Sequence, residues 1–364
     1  MRMWLLTLIT EICNLDPRLN CLVFESPYAN LVELDAVAAV KRVILKGVPK
    51  QRSARVAYEN TLYPVALRAG NVDVTLGTHN VMPAGSPRPF VLVLQSLQYL
   101  FQPASYGLLR GIYLRAAVKL SLRRATTVIC VSEAARKDAI AWTGLNPERF
   151  VVAHHGISPD TMDAARTTKL AHSGMPPYIL TVMTMYRYKN FHRLIEAYAR
   201  LRAKHHVPHR LRLVGGEADV TTDELRQYAR RQGVEDMVDF VGPVPHKAIA
   251  AHYRGADLFV FPSLYETFGF PPLEAMAFGC PVVAANGSSI PEIVGSAAEL
   301  VDPMDPEAMT RGLERALLDQ RRRHELIDLG RRRVAQFSWR ACAERYLAVI
   351  QDAIASTQTP RARS

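Results

Sequence analysis

The chain has 364 residues, enough for two domains of ordinary size, and its 49% hydrophobic and 22% charged residues exclude the disordered, collagen-like and coiled-coil classes. Lys and Arg outnumber Asp and Glu by 45 to 34, a net charge of +11. That whole excess lies between Ala36 and Ser132, where thirteen basic residues meet only Glu59 and Asp73. A field of this sign attracts anions, whether nucleic acid, an acidic membrane surface or a phosphorylated substrate. Nucleic acid is not expected, because the aromatic residues are not interleaved with the charges at a spacing that would stack bases. Cys13, Cys21, Cys130, Cys280 and Cys342 are odd in number and hold no C-x-x-C pair, which fits a reducing, cytoplasmic compartment.

In chain order, Leu5, Leu8, Ile9, Ile12 and Leu15 recur at helical spacing and predict a first helix rather than a signal peptide. No apolar run approaches the 18 residues that would suggest a membrane span. Short β-branched runs then alternate with helical patterns: 21–24, 72–76, 90–94, 127–131 and 150–153 in the first half, and 178–183, 210–214, 238–241, 258–262, 281–285 and 299–301 in the second. This alternation predicts an α/β protein of two facing, doubly wound, Rossmann-like domains. The expected division is a first domain over 1–157, a linker over 158–177 rich in Ala, Thr, Ser and Pro, a second domain over 178–338, a helix over 339–355 returning to the first domain, and a disordered tail over 356–364. Within the first domain, 106–124 reads as a helix with Arg110, Arg115, Lys119, Arg123 and Arg124, no acid, and Leu108, Leu109, Ile112, Ala116 and Leu120 on another face. Such a helix either lies against anionic headgroups or turns its apolar face to the core.

Ligands of doubly wound sheets bind beyond the carboxyl ends of the strands, so chemistry is sought in strand-to-helix turns. One such turn lies in FVFPSLYETFGFPPLEAMAFGCPVV, where Pro271 and Pro272 mark a helix start preceded by Gly269. The free amides and positive end of that helix suit a phosphate. Glu266 in the turn and Glu274 about one turn into the helix can reach the same ligand, and a carboxylate there can bond a ribose diol. Glu274 also reads simply as a first-turn glutamate complementing the helix dipole. A second turn lies in YILTVMTMYRYKNFHRLIEAYARL, with Asn190 as the expected N-cap and Arg187 and Lys189 at a helix end where a cation is disfavoured. An anion bound between them would reverse that sign, although a solvated turn reads the same way. Lys189 and Glu274 both sit on a turn or helix start, so their replacement is expected to weaken ligand binding without loss of the fold.

Together these turns resemble the donor half of the retaining, GT-B-fold glycosyltransferases of family 4, with a likeness to mannosyltransferases. The E-x7-E pair Glu266 and Glu274 and the Lys-Asn turn in YRYKNFHRLIEAY carry the resemblance. CVSEAARKD (130–138), VVAHHGI (151–157), RLVGG (212–216), VDFVGPVP (238–245) and NGSSIPEIVG (286–295) extend it.

The resemblance implies that Lys189 and Arg187 hold the donor's diphosphate and that Glu274 binds its ribose. Glu266, with the backbone amides of Phe268, Gly269 and Phe270, would face the transferred sugar. The pocket at 242–245 would face the base. It implies a GDP- or UDP-sugar co-substrate without a metal cofactor, a glycan or lipid-linked acceptor, and a role in polysaccharide biosynthesis on the cytoplasmic face of a membrane. The family's usual Arg stands five residues before the Lys, which here is Thr184. The usual His at the end of the third strand is here Gln95, a neutral amide that can bond a sugar hydroxyl but moves no proton. A catalytically inactive GT-B protein that binds nucleotide sugar or a partner enzyme is therefore the second reading. The family's first strand and glycine loop have no counterpart ahead of the first helix, so strands at 21–24 and 72–76 are expected to lack the partner usually between them.

Overall fold

The computed structural model describes residues 2–83, 85–87, 89–166 and 176–358. The chain divides into two compact units. Met1–Leu100, Gly107–Ser158 and Phe337–Ser364 build the first, and Phe101–Tyr106 with Pro159–Gln336 build the second.

The first unit contains β1 (Cys21–Glu25), β2 (Val40–Ile44), β3 (Thr75–Gly77), β4 (Phe90–Leu94), β5 (Thr127–Cys130) and β6 (Phe150–Val152). They form two parallel sheets rather than one: β1 pairs with β2, and the second sheet has the order β3-β4-β5-β6. The separation falls between the segments expected to lack a partner. Strand β2 is absent from the sequence-based set because VKRVI carries Lys41 and Arg42 where a buried parallel strand would be apolar. Arg42 instead pairs with Glu25 of β1 and with Asp35. Strand β3 starts at Thr75, later than the sequence pattern suggests.

One helix, Arg2–Leu15, serves both sheets. Its Leu8 and Ile12 pack with Val91, Val93 and Ile129 of the larger sheet, while Leu6 packs with Leu31 and Leu34, against which Val23 and Val40 also rest. The final helix, Trp339–Gln358, places Cys342, Ala343 and Tyr346 in the core of the larger sheet. It runs beyond the expected end at 355, and residues 359–364 of the expected tail lie outside the described residues. In the expected linker Pro159–Ala165 is helical, while 167–175 lie outside the described residues.

The basic helix spans Leu108–Arg124, and its buried stripe is Gly111, Val118, Ser121 and Leu122. Ser121 is anchored there by the backbone N–H of Met82, which donates to its hydroxyl at 3.0 Å. The face read from sequence as the alternative for core packing points to solvent, with Leu108 79% and Leu109 83% exposed. Ile112 and Leu120 are exposed beside them.

The second unit is a single six-stranded parallel sheet of β7 (Tyr178–Val182), β8 (Arg210–Val214), β9 (Val238–Gly242), β10 (Leu258–Phe261), β11 (Val282–Ala285) and β12 (Glu299–Val301). Its order is β12-β11-β10-β7-β8-β9, so the winding reverses between β7 and β10. That reversal opens a crevice at the carboxyl ends of the two strands.

The β1–β2 pair has one ladder and two edges, and four of the five residues of β1 are only half-buried. Its amides are expected to exchange with deuterium faster than those of Phe90–Leu94, which is buried throughout. Equal protection, measured by native-state exchange, would show that both sheets open only together.

Candidate nucleotide-sugar site

The turn after β7 is a tight 3-10 turn, Arg187–Lys189, followed by Asn190 with φ of 65° and the helix Phe191–His205. The expected N-cap role of Asn190 does not hold, since its side chain makes no cap bond in this left-handed conformation. Its amide instead donates to the carbonyls of Pro262 (3.1 Å) and Pro303 (2.7 Å). The Leu264 N–H adds a bond to the Tyr188 carbonyl at 2.8 Å. The turns after β7 and β10 are thereby sewn together, which fixes Lys189 beside Glu266.

Lys189 donates to Glu266 Oε1 in an ion pair whose side chains are only 12% and 9% exposed. This corrects the picture of Lys189 as a residue of an open turn, because its ammonium group lies inside, 5.1 Å from the ring centre of Tyr188 and 5.3 Å from that of Phe261. The Ser263 hydroxyl donates to the same carboxylate oxygen at 2.5 Å. Ser288 accepts from the Glu266 N–H at 2.9 Å. The hydroxyl of Ser289 lies 2.9 Å from the Glu266 carbonyl and 2.8 Å from that of Phe268. Both the side chain and the backbone of Glu266 are thus held. Ser263, Ser288 and Ser289 were missed as site residues, although the segment NGSSIPEIVG was the signal for two of them.

The helix Phe270–Ala277 begins after Gly269, whose φ is 106°. Any side chain would be strained at this φ, and a Cβ at Gly269 would also stand 2.7 Å from Ile290 Cδ1, so the turn favours glycine. Glu274 sits one turn into that helix and accepts from the Tyr253 hydroxyl at 2.8 Å. A cavity of about 450 Å³ includes Thr184, Lys189, Gly215, Gly216, Pro243, Val244 and Pro271 in its wall. Gly215 is needed where β7 and β8 end, because a Cβ there would lie 1.9 Å from the Met183 carbonyl oxygen. The cavity therefore gathers Lys189, Thr184 and the first turn of the helix that carries Glu274.

Arg187 is placed differently. Its guanidinium is 3.5 Å from Glu224, which also meets His192 at 3.0 Å, while its backbone N–H donates to Asp219 at 2.6 Å. Asp219 also accepts from Ser105 at 2.6 Å, and Phe101 stacks on Tyr265 with ring centres 4.3 Å apart. These contacts place Phe101–Tyr106 in the second unit, next to the loop that carries Glu266.

Gln95 belongs to the first unit, at the end of β4, and its amide oxygen lies 3.2 Å from His155 Nε2. His155 stands between Trp4 and Trp339, each ring centre 5.5 Å away. Burial, reinforced by neighbouring His154, pushes its pKa down to about 3, so it is a neutral hydrogen-bonding group at physiological pH. Sequence reasoning quoted the HH pair without assigning it this contact.

Two family models match the chain: Glycosyltransferase Family 4 over residues 25–161 and Glycosyl transferases group 1 over residues 164–333. Between them they take in most of both units. Each unit thus carries the mark of a glycosyltransferase family. The chain is 31% identical over 238 residues to O-antigen chain mannosyltransferase B of Escherichia coli, an alignment covering 63% of the chain and 61% of that relative. It is likewise 31% identical over 244 residues to the MMP alpha-(1->4)-mannosyltransferase of Mycolicibacterium hassiacum, covering 64% of the chain and 56% of the relative. The chain thus spans less than two thirds of the length of these curated relatives. Anabaena HepE, solved in complex with UDP and glucose, shares the fold with a TM-score of 0.68 at 20% identity, over 96% of this chain and 95% of that one.

The buried pair generates a prediction about stability. Lys189→Ala leaves the Glu266 carboxylate buried with one hydroxyl donor and is expected to cost about 3 to 5 kcal/mol. Adding Glu266→Gln should recover most of that loss. Urea unfolding of both single variants and the double variant checks it, and purely additive losses would mean that the two side chains do not interact.

Proposed function

We propose that this chain is a retaining hexosyltransferase that moves mannose from a nucleotide-diphosphate sugar to a glycan or lipid-linked acceptor. The observation that carries the reading is the meeting of Lys189 and Glu266 with a glycine-led helix start at the reversal point of a doubly wound sheet. Mannose is favoured because the two curated relatives named above are mannosyltransferases. The HepE structure, which holds UDP and glucose, supports a nucleotide-sugar donor of this general kind.

In this reading the diphosphate lies at the helix start, where the positive end of the helix and the Lys189 ammonium stabilise the charge that builds as the sugar departs, and the amides of Phe268, Gly269 and Phe270 face the sugar. Glu266 faces the sugar and Glu274 the ribose hydroxyls. Thr184 and the 243–244 segment line the nucleotide's cavity. Arg187 reaches the diphosphate only after leaving Glu224, an exposed contact that costs little to break. Gln95, held to His155, offers an amide to a sugar hydroxyl. The scheme assigns the stabilisation of the leaving diphosphate to Lys189 and the helix start and calls on no metal cofactor.

The test is release of free nucleoside diphosphate from GDP-mannose and UDP-hexoses on adding glycan or lipid-linked acceptors, with the anomeric configuration of the product read by NMR. Inversion, or no release with any donor, would overturn the reading. Glu274→Ala is expected to weaken nucleoside diphosphate binding by about 1.5 to 3 kcal/mol in calorimetry, while leaving the melting transition in place.

The acceptor reading includes an anionic membrane. Among the described residues no helix is long and apolar enough to cross a bilayer. The basic helix nonetheless presents Leu108, Leu109 and Ile112 to solvent together with Arg115 and Arg123, which suits a cytoplasmic protein bound peripherally to the inner membrane face. Co-sedimentation with phosphatidylglycerol vesicles is expected at low salt and not with phosphatidylcholine vesicles, and a Leu108→Ser, Leu109→Ser variant should lose most of it. Equal partition to both vesicle types would discard electrostatic docking.

A further inference from the structure

Tyr253 lies in the helix His246–Gly255, two residues before its end, and is 1% exposed. Its ring is stacked against Phe278, with centres 5.7 Å apart and planes 8° apart, and meets Phe259 at 5.5 Å. The end of that helix has no latitude: Tyr178 donates its hydroxyl to the His252 carbonyl at 2.7 Å, and a Cβ at Gly255 would stand 2.5 Å from the Tyr178 oxygen. Ring and helix therefore aim the Tyr253 hydroxyl at one point, and Glu274 Oε2 occupies that point at 2.8 Å.

We propose that Tyr253 is a positioning residue for nucleotide recognition, its hydroxyl fixing the Glu274 carboxylate in the orientation that meets the ribose diol. The proposal rests on the assignment of Glu274 to the ribose. A glutamate on a helix surface samples several rotamers, and ordering them on ligand binding costs free energy. A bond to one oxygen from a hydroxyl locked in the core removes that cost in advance. It also leaves the carboxylate acceptor capacity for sugar hydroxyls, since two oxygens offer about four lone-pair sites. Burial first, and the nearby Glu274 second, raise the Tyr253 pKa well above its ordinary value, so the hydroxyl keeps its proton and acts toward the carboxylate as a donor.

The readout is the preference for a ribose over a deoxyribose, which a merely structural tyrosine would not change. Calorimetry is done on the full chain with GDP and 3′-deoxy-GDP, and with UDP and 3′-deoxy-UDP, the pair that binds more tightly being used. The wild-type chain should prefer the ribonucleotide by about tenfold or more. Tyr253→Phe keeps both ring contacts and should lose most of that preference, while its affinity for the deoxynucleotide stays within about twofold. Glu274→Gln separates the two claims. If the wild type shows no preference, or Glu274→Gln retains all of it, the ribose assignment itself is overturned and the role of Tyr253 with it. If Glu274→Gln abolishes the preference and Tyr253→Phe leaves it intact, only the positioning role is overturned. Should Tyr253→Phe fail to fold, 4-aminophenylalanine at position 253, a weaker donor on the same ring, is read in the same way: a reduced preference supports the proposal and an undiminished one overturns it.

Discussion

The arrangement of the second unit depends on one buried contact, the pair between Lys189 and Glu266. Each residue comes from a different strand-to-helix turn, and neither charge could remain inside the protein without the other. Around the pair, the backbone and side-chain bonds from Asn190, Leu264, Ser263, Ser288 and Ser289 satisfy polar groups of the two turns. The crevice at the reversal of the sheet is thus lined by a charged centre whose geometry is set before any ligand arrives. Such preorganisation lets fixed dipoles and charges stabilise a developing charge with little rearrangement.

Much of this was legible in the sequence because its causes are local. Runs such as FVLVL and VVAA, short, apolar and bounded by turn residues, read as buried parallel strands, and the helical spacing of Phe191, Leu194, Ile195, Tyr198 and Leu201 needs no partner to be read. Glycine and proline marked the start of the helix Phe270–Ala277 for equally local reasons. Glu266 and Glu274 stood out by type and spacing.

What was not legible depends on long-range pairing. Strand β2 carries Arg42, whose place in the strand Glu25 and Asp35 explain, and Glu25 lies seventeen residues away along the chain. Lys189 was read as belonging to an open turn because its buried partner is 77 residues distant. Asn190 was read as a cap from its residue type, whereas its positive φ sends the side chain to Pro262 and Pro303. The helix Leu108–Arg124 shows the limit of periodicity: the apolar face that stood out, with Leu108, Leu109 and Ile112, is exposed, while the buried stripe is Gly111, Val118, Ser121 and Leu122, tied down by the bond between Ser121 and Met82.

Ser288 illustrates how stability and function can pull apart at a single residue. It is a non-glycine residue at φ of 50°, a conformation that costs an L-amino acid roughly 1 to 2 kcal/mol. Glycine would relieve that strain, yet it would also remove the hydroxyl that anchors the Glu266 N–H. A search for thermostable variants would be drawn to this position and would gain stability of the whole at the expense of order in the loop that carries Glu266. The strain at Ser288 is best understood as the standing cost of keeping one loop aligned.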